Sequence, residues 1–243
     1  FEGFDIAGMG FGTEESVHLW SEVMKVAFAD RFKYVADPES TDVPVDWLTS
    51  KAYSDERRAD LDLKRAKQYA PGIPSASKVE STTHCCAIDR WGNIVATTNT
   101  LHMAFGSKVT VPGTGMLLND CMELMDPNPG RTNSIAPGKR ILSSMSPMIV
   151  LKDGEAFMTL GAPGGLKIFG AVAQAIVNVI DHKMPLQTAF EAPRIWDRGE
   201  ILELERGFNL ESITPGLAAR GHVMETPLKV AGGMNGILRH PDG

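Results

Sequence analysis

Ser81-Thr82-Thr83-His84 lies where a Pro/Gly/Ser-rich stretch gives way to strand-forming residues. A threonine hydroxyl attacks poorly unless a base sits beside it. The nearest base open to Thr82 is its own α-amine, which exists only if the Ser81–Thr82 bond is cut. With a pKa near ~8, much of that amine is neutral at neutral pH and can accept the hydroxyl proton. The β-branch narrows χ1 and helps hold the hydroxyl in place. The arrangement suits a self-cleaving precursor; the plainer reading is that Thr82 and Thr83 are ordinary strand residues.

Two further groups have chemistry to offer. Ser143 and Ser144, in Leu142-Ser143-Ser144-Met145-Ser146-Pro147, are paired hydroxyls that can bind a carboxylate or polarise a carbonyl. The competing reading is a hydroxyl-stabilised turn. Gly161-Ala162-Pro163-Gly164-Gly165 stands at a strand-to-helix junction. Gly164 and Gly165 there let backbone N–H groups approach a ligand closely, and a helix N-terminus adds positive potential, as an oxyanion hole requires. The alternative is a tight turn that needs positive φ. The Gly-Lys-Ser/Thr ending of a phosphate loop is absent. Gly8-x-Gly10-x-Gly12 also precedes a helix, but no strand-helix-strand unit follows, so it reads better as a loop than as a nucleotide fingerprint.

The elements that must position these residues are legible in outline. Thr13 is a credible N-cap followed by Glu14 and Glu15. Val17, Trp20, Met24, Ala27, Phe28 and Phe32 then recur at helical spacing, and Pro38 closes the segment. A polar helix of mixed charge is expected over residues 54–68, and an exposed loop over 70–81. Residues 82–89 and 94–100 read as strands joined by a turn at 90–93. A second hairpin is expected from 148–151 and 156–160 around Lys152-Asp153-Gly154. Helices follow at about 166–181 and 186–191, with further strands at 201–204 and 236–239. Helices, then hairpins, then helices imply a layered α+β domain rather than alternating βαβ units.

The chain has 243 residues, 43% hydrophobic and 22% charged, which is ordinary globular usage and excludes disordered, collagen-like and coiled-coil classes. Its net charge of −6 argues against a general nucleic-acid binder. Cys85, Cys86 and Cys121 are too few and too oddly spaced for a disulfide framework. They read as small apolar residues and lean toward a reducing compartment, with a periplasmic or extracellular one left open. Adjacent Cys85 and Cys86 should point to opposite faces of a strand. His18, His84, His102, His182, His222 and His240 show no metal-ligand spacing, so no metal or other cofactor is expected. No apolar run reaches the ~18–20 residues of a membrane span. No leader opens the chain, and Pro241-Asp242-Gly243 is a turn that normally leads onward, so both ends read as internal to a longer protein.

Taken in order, these features resemble the gamma-glutamyltransferase family, and the resemblance covers nearly the whole chain. Residues 22–38 (EVMKVAFADRFKYVADP) and 43–53 (VPVDWLTSKAY) are similar to segments before that family's cleavage site. Residues 82–101 (TTHCCAIDRWGNIVATTNTL) resemble the first hairpin of its catalytic subunit. GMLLND, KRILSSMSP, GAPGG and Ala192-Pro193-Arg194 also match. The resemblance implies a four-layer αββα sandwich of the N-terminal-nucleophile hydrolase type, incomplete here. It implies a precursor cut between Ser81 and Thr82, so that residues 1–81 end the large subunit and 82–243 begin the small catalytic one. It further implies Thr82 as nucleophile, Thr100 as the second threonine beside it, and Gly164 and Gly165 as oxyanion donors. Ser143 and Ser144 would hold a substrate α-carboxylate. The partners would be a small-molecule amide, an acceptor (water or an amine) and the chain's own other subunit, with no nucleic acid and no membrane span.

Three positions depart from the family. His102 stands where Asn is usual, Cys121 where Glu or Gln is usual, and Leu124 where an acidic residue grips the substrate α-amino group. Losing a buried carboxylate partner for an ammonium costs ~2–5 kcal/mol of binding. Glu123, one residue away, is a candidate substitute, and His102 is either a substrate contact or a satisfied strand histidine. The family's substrate-gripping Arg falls outside this chain. The implied reaction is therefore cleavage of a γ-glutamyl, glutathione-like amide or of another amide, as in cephalosporin or glutaryl acylases and oxamate amidohydrolase. An uncut scaffold homologue is the non-enzymatic alternative.

Overall fold

The computed structural model describes residues 1–69 and 80–240. The loop expected over 70–81 and the closing Pro241-Asp242-Gly243 turn lie outside the described residues, apart from the backbone pairing of Glu80 and Ser81. In chain order the elements are α1 (Ile6–Met9), α2 (Glu14–Tyr34), α3 (Val45–Leu48), α4 (Lys51–Ala59), β1 (Glu80–Ile88) and β2 (Ile94–Met103). Then come β3 (Met148–Lys152), β4 (Glu155–Gly161), α5 (Ile168–Ile180), α6 (Leu186–Glu191), β5 (Ile195–Trp196), β6 (Leu202–Leu204), α7 (Leu210–Ala219), β7 (Met224–Glu225) and β8 (Asn235–Leu238). They divide into two compact units.

The first unit gathers Phe1–Ser75, Met122–Leu142 and Ile195–Leu228 around α2. Thr13 caps α2 as expected, its Oγ1 accepting from Ser16 N–H at 3.2 Å. Glu14 and Glu15 fill the first turn, and Arg31 and Lys33 the last, in the sense the helix dipole favours. The sequence suggested one apolar stripe. Instead the helix is buried over most of its circumference, with Ser16, His18, Ser21, Glu22 and Lys25 enclosed alongside Val17, Leu19, Met24 and Phe28. Phe28 meets Trp196 edge-on at 5.8 Å, and Ile195, Leu202, Leu204, Ile213 and Leu217 are also buried in this unit. The polar helix is shorter than expected: α4 ends at Ala59, and residues 60–69 run on without helix. Helix α7 had no clear signal because Pro215 and Gly216 sit inside it. Gly216 leaves room for the Glu14 carboxylate, which accepts from Arg220 Nε at 2.7 Å and would have to swing aside for a Cβ.

The second unit comprises Ala76–Cys121, Ser143–Arg194 and Lys229–Gly243. Strands β1 and β2 form one antiparallel hairpin sheet, and β3-β4-β8 form a second antiparallel sheet packed on it. Helices α5 and α6 cover the outer face of the second sheet. The core between them is Met158, Leu160, Ala162, Ile168, Val172, Ala175, Val179, Ala189 and Phe190. Both hairpin turns were readable. Asp89 accepts from Trp91 and Asn93 N–H at 2.9 Å, and Gly92 takes φ 84°. Asp153 and Gly154 have φ 53° and 82°, the positive pair of a two-residue type I′ turn. Cys85 is exposed and Cys86 half-buried, as alternation on one strand dictates. All three cysteines are free, and burial raises the Cys121 thiol pKa. No helix among the described residues is long and apolar enough to cross a membrane.

Candidate active site

Strand pairing brings the first group together. The register slips between Ser81 and Thr82: Ser81 pairs with His102 and Thr82 with Thr100, which leaves Leu101 as the extra residue of a bulge on β2. His102 takes the left-handed conformation, φ 71°, which is uncommon outside glycine. Thr82 and Thr100, the last pair of the regular ladder, face each other directly, and their Oγ1 atoms lie 2.8 Å apart. The His102 N–H donates to Thr100 Oγ1 at 2.8 Å. The three groups form a short hydrogen-bonded chain: backbone amide, Thr100 hydroxyl, Thr82 hydroxyl.

Asp120 holds the far side of the bulge. Its N–H donates to Leu101 O at 3.2 Å. Its Oδ1 accepts from Met103 N–H at 3.0 Å and lies 3.4 Å from His102 Nδ1. The His102 side chain is buried, with Nδ1 3.4 Å from the Asp120 carboxylate.

The serines and glycines form a second group in the same unit. Ser143 Oγ accepts from Met145 N–H at 3.1 Å, which is the hydroxyl-stabilised turn weighed against carboxylate binding. Ser144 is buried and donates to Gly165 O at 2.7 Å. Gly164 and Gly165 take φ 138° and 52°. A Cβ on Gly164 would stand 3.1 Å from Ala231 Cβ. The glycines lead into a 3-10 turn, Gly165–Lys167, and α5 begins after it.

His84 joins the two sheets, a place the sequence reading does not assign to it. It shares a face of β1 with Thr82, and its Nδ1 lies 2.8 Å from Thr98 Oγ1. Gly161, which opens the glycine segment, packs flat on the imidazole where any Cβ would clash. Asn235 of β8 donates to His84 O at 3.3 Å. Burial lowers the His84 pKa. The period-2 step from Thr82 to His84 was the available signal. Glu123 is exposed on the 3-10 turn Cys121–Leu124.

The first unit carries a buried polar network of its own. His18 Nδ1 meets His222 Nε2 at 2.7 Å, and His18 Nε2 meets Asp62 O at 2.9 Å. Ser21 donates to Asp197 Oδ2 at 2.6 Å. Glu22 accepts from Lys25 Nζ at 2.7 Å, Lys67 N–H at 3.2 Å and Tyr69 OH at 3.1 Å. His18, Glu22 and His222 are close enough to share a cation, and i to i+4 spacing had brought the first two together. The same atoms are spent on one another and on the Lys25 ammonium, so the arrangement is a closed hydrogen-bond network. Burial, with Lys25, His18 and Arg220 opposing a further positive charge, pushes the His222 pKa down to about 3. Burial also lowers that of His18. In the Gly8–Gly12 run, the Asp5 carboxylate accepts from Gly8 N–H at 2.9 Å and Gly12 abuts the Phe208 ring, so local packing accounts for these glycines.

The family model for gamma-glutamyltranspeptidase matches residues 1–243. An acylase ACY 1 proenzyme from Pseudomonas sp. (strain SE83) is 49% identical over 242 residues, 100% of this chain and 43% of its own length. A glutathione hydrolase proenzyme from Escherichia coli (strain K12) is 36% identical over 259 residues, 100% of this chain and 44% of its own. Among solved structures, a cephalosporin acylase from Bacillus halodurans superposes with TM-score 0.84 at 30% identity, covering 98% of this chain and 44% of that one. An acivicin-inhibited gamma-glutamyltranspeptidase gives TM-score 0.62 at 36% identity, over 65% of this chain and 90% of that one. The fold is thus the α+β architecture of these N-terminal-nucleophile hydrolases. The chain spans less than half the length of the curated relatives named here.

Proposed function

The chain belongs to the gamma-glutamyltranspeptidase family, and on that premise we propose that the parent protein is a self-cleaving N-terminal-threonine amide hydrolase or acyltransferase. The observation that carries this reading is the 2.8 Å contact between Thr82 and Thr100 hydroxyls where β1 begins its regular pairing.

In the precursor, Thr82 Oγ1 attacks the Ser81 carbonyl carbon and the Ser81–Thr82 C–N bond breaks, leaving an ester to Thr82 and a free α-amine. Water hydrolyses the ester, releasing the Ser81 carboxylate. In the mature enzyme the Thr82 α-amine takes the hydroxyl proton while Oγ1 attacks the substrate amide carbon. Gly164 and Gly165 N–H groups receive the developing oxyanion. The proton passes to the departing amine, and an acyl ester on Thr82 remains. Water or an acceptor amine then takes the acyl group and restores the hydroxyl. Residues 1–81 and 82–243 become parts of two subunits that stay associated.

For the acyl group, Leu124 favours an amide without an α-ammonium, because an apolar side chain gives that cation no partner. The 49% identity to an acylase supports the same choice. A γ-glutamyl amide is the second reading, favoured by exposed Glu123 one residue away and by the 36% identity to a glutathione hydrolase. Glutaryl and γ-glutamyl groups differ only by the α-ammonium, so kcat/KM on the two p-nitroanilides separates these readings. Intact mass and N-terminal sequencing of the full-length parent test the rest. A chain beginning Thr-Thr-His-Cys-Cys is expected, and a persistent single chain without turnover would favour a scaffold role.

A further inference from the structure

We propose that Asp120 is a positioning residue for the threonine hydroxyls: it holds His102 in its left-handed conformation so that the His102 N–H points at Thr100 Oγ1. The inference deepens the proposed function and rests on it.

One residue grips three consecutive positions of β2. Asp120 N–H bonds Leu101 O, its carboxylate accepts from Met103 N–H, and the same oxygen contacts the His102 imidazole. The middle position is the strained one, with φ 71° on a side chain larger than glycine. Released from that grip, His102 would relax toward extended backbone and its N–H would turn away. The consequence reaches the nucleophile through one atom. Thr100 Oγ1 accepts from the His102 N–H on one lone pair, which fixes the hydroxyl that meets Thr82 Oγ1 and polarises the bond between them. Asp120 need not touch substrate to act in this way. Its effect belongs in the chemical step and not in substrate affinity.

The test is a double-mutant cycle in the full-length parent protein, with kcat and KM read on its best amide substrate. Asp120→Ala is expected to lower kcat about tenfold or more while KM stays within about threefold. In a His102→Gly background, where the left-handed conformation needs no holding, the same change is expected to cost less than about threefold. Asp120→Asn keeps an oxygen acceptor for Met103 N–H and should recover most of the kcat lost in Asp120→Ala. An equal loss in both backgrounds, a loss confined to KM, or no loss would overturn the proposal. Should Asp120→Ala fail to fold, Asp120→Ala/His102→Gly is expected to fold with a cooperative melt; failure of both would also overturn it. A crystal structure of the Asp120→Ala precursor gives a readout independent of turnover. His102 should leave positive φ and lose its bond to Thr100, and retention of both refutes the mechanism. An inactive wild-type parent would refute the proposed function while leaving that structural test in force.

Discussion

Thr82 and Thr100 occupy directly paired positions of two antiparallel strands, with their hydroxyl oxygens 2.8 Å apart. The regular ladder that runs up from Ile88–Ile94 ends at this pair, and Leu101 is looped out one residue later. Without the bulge, a partner for Ser81 at position 101 would carry β2 onward in regular alternation and His102 would not offer its amide to Thr100.

Thr82→Ala in the parent protein is expected to abolish both the new N-terminus and amide turnover. Thr82→Ser keeps the nucleophilic oxygen and should retain both, slowed by about tenfold or more because the freer χ1 holds the hydroxyl less well. Mass spectrometry and a chromogenic amide assay measure the pair. Unchanged cleavage and turnover in the alanine variant would remove Thr82 from the chemistry.

Thr100→Val preserves the β-branch and the strand pairing but removes the oxygen that meets both Thr82 and the His102 N–H. Leaving that amide unpaired should cost about 1–3 kcal/mol of stability. A fall in kcat of about 10- to 100-fold with little change in KM is expected. Turnover equal to wild type would show that Thr100 only supports the strand.

Gly164→Ala introduces a side chain at φ 138° and places its Cβ 3.1 Å from Ala231 Cβ. The strain is about 1–3 kcal/mol. Because the adjacent amides would move, kcat should fall by about 100-fold or more if they receive the oxyanion. Steady-state kinetics beside a thermal melt separate the two effects: a destabilised variant with wild-type kcat would argue for a structural turn alone.

The His18–His222 pair predicts acid sensitivity. The His222 pKa lies near about 3 in the folded protein against 6.5 ordinarily, and that of His18 is lowered too, so the unfolded chain binds more protons. Their contribution is complete above about pH 6.5 and is lost as pH falls toward 3, at up to about 1.4 kcal/mol per pH unit for each proton. Asp197, raised by burial, works in the opposite sense. Denaturant melts of the parent between pH 7 and 5 should show falling stability. His222→Gln should flatten the slope, and an unchanged slope would remove this pair as its source.

Much of this was legible from local chemistry. Thr13 capped its helix, Asp153-Gly154 made its turn, and the Thr82 to Ile94 hairpin followed from β-branched residues around Arg90-Trp91-Gly92-Asn93. What escaped depended on partners distant in sequence. Pro215 and Gly216 looked like a break because the contact that favours Gly216 is with Glu14, some 200 positions away. The His18–Glu22–His222 cluster was not legible because His222, its third member, arrives from beyond α7. Ser144 donates to Gly165 O, a contact that turn chemistry alone does not announce. Asp120 closes the GMLLND segment, whose residue types do not indicate that it clasps Leu101 and Met103.

The slip in register between Ser81 and Thr82 bears on what a freshly made chain end would be like. Chain ends ordinarily fray, and a wandering terminus is a poor tool for chemistry that depends on tenths of an ångström. Here the ladder runs without interruption from Thr82–Thr100 to Ile88–Ile94, and the residues before Thr82 pair only beyond the bulge. A break at that bond would remove the short stretch past the discontinuity and leave the remaining ladder untouched. The new first residue would be born already seated, fastened on one side by its neighbour strand, with no folding step between its release and its first use.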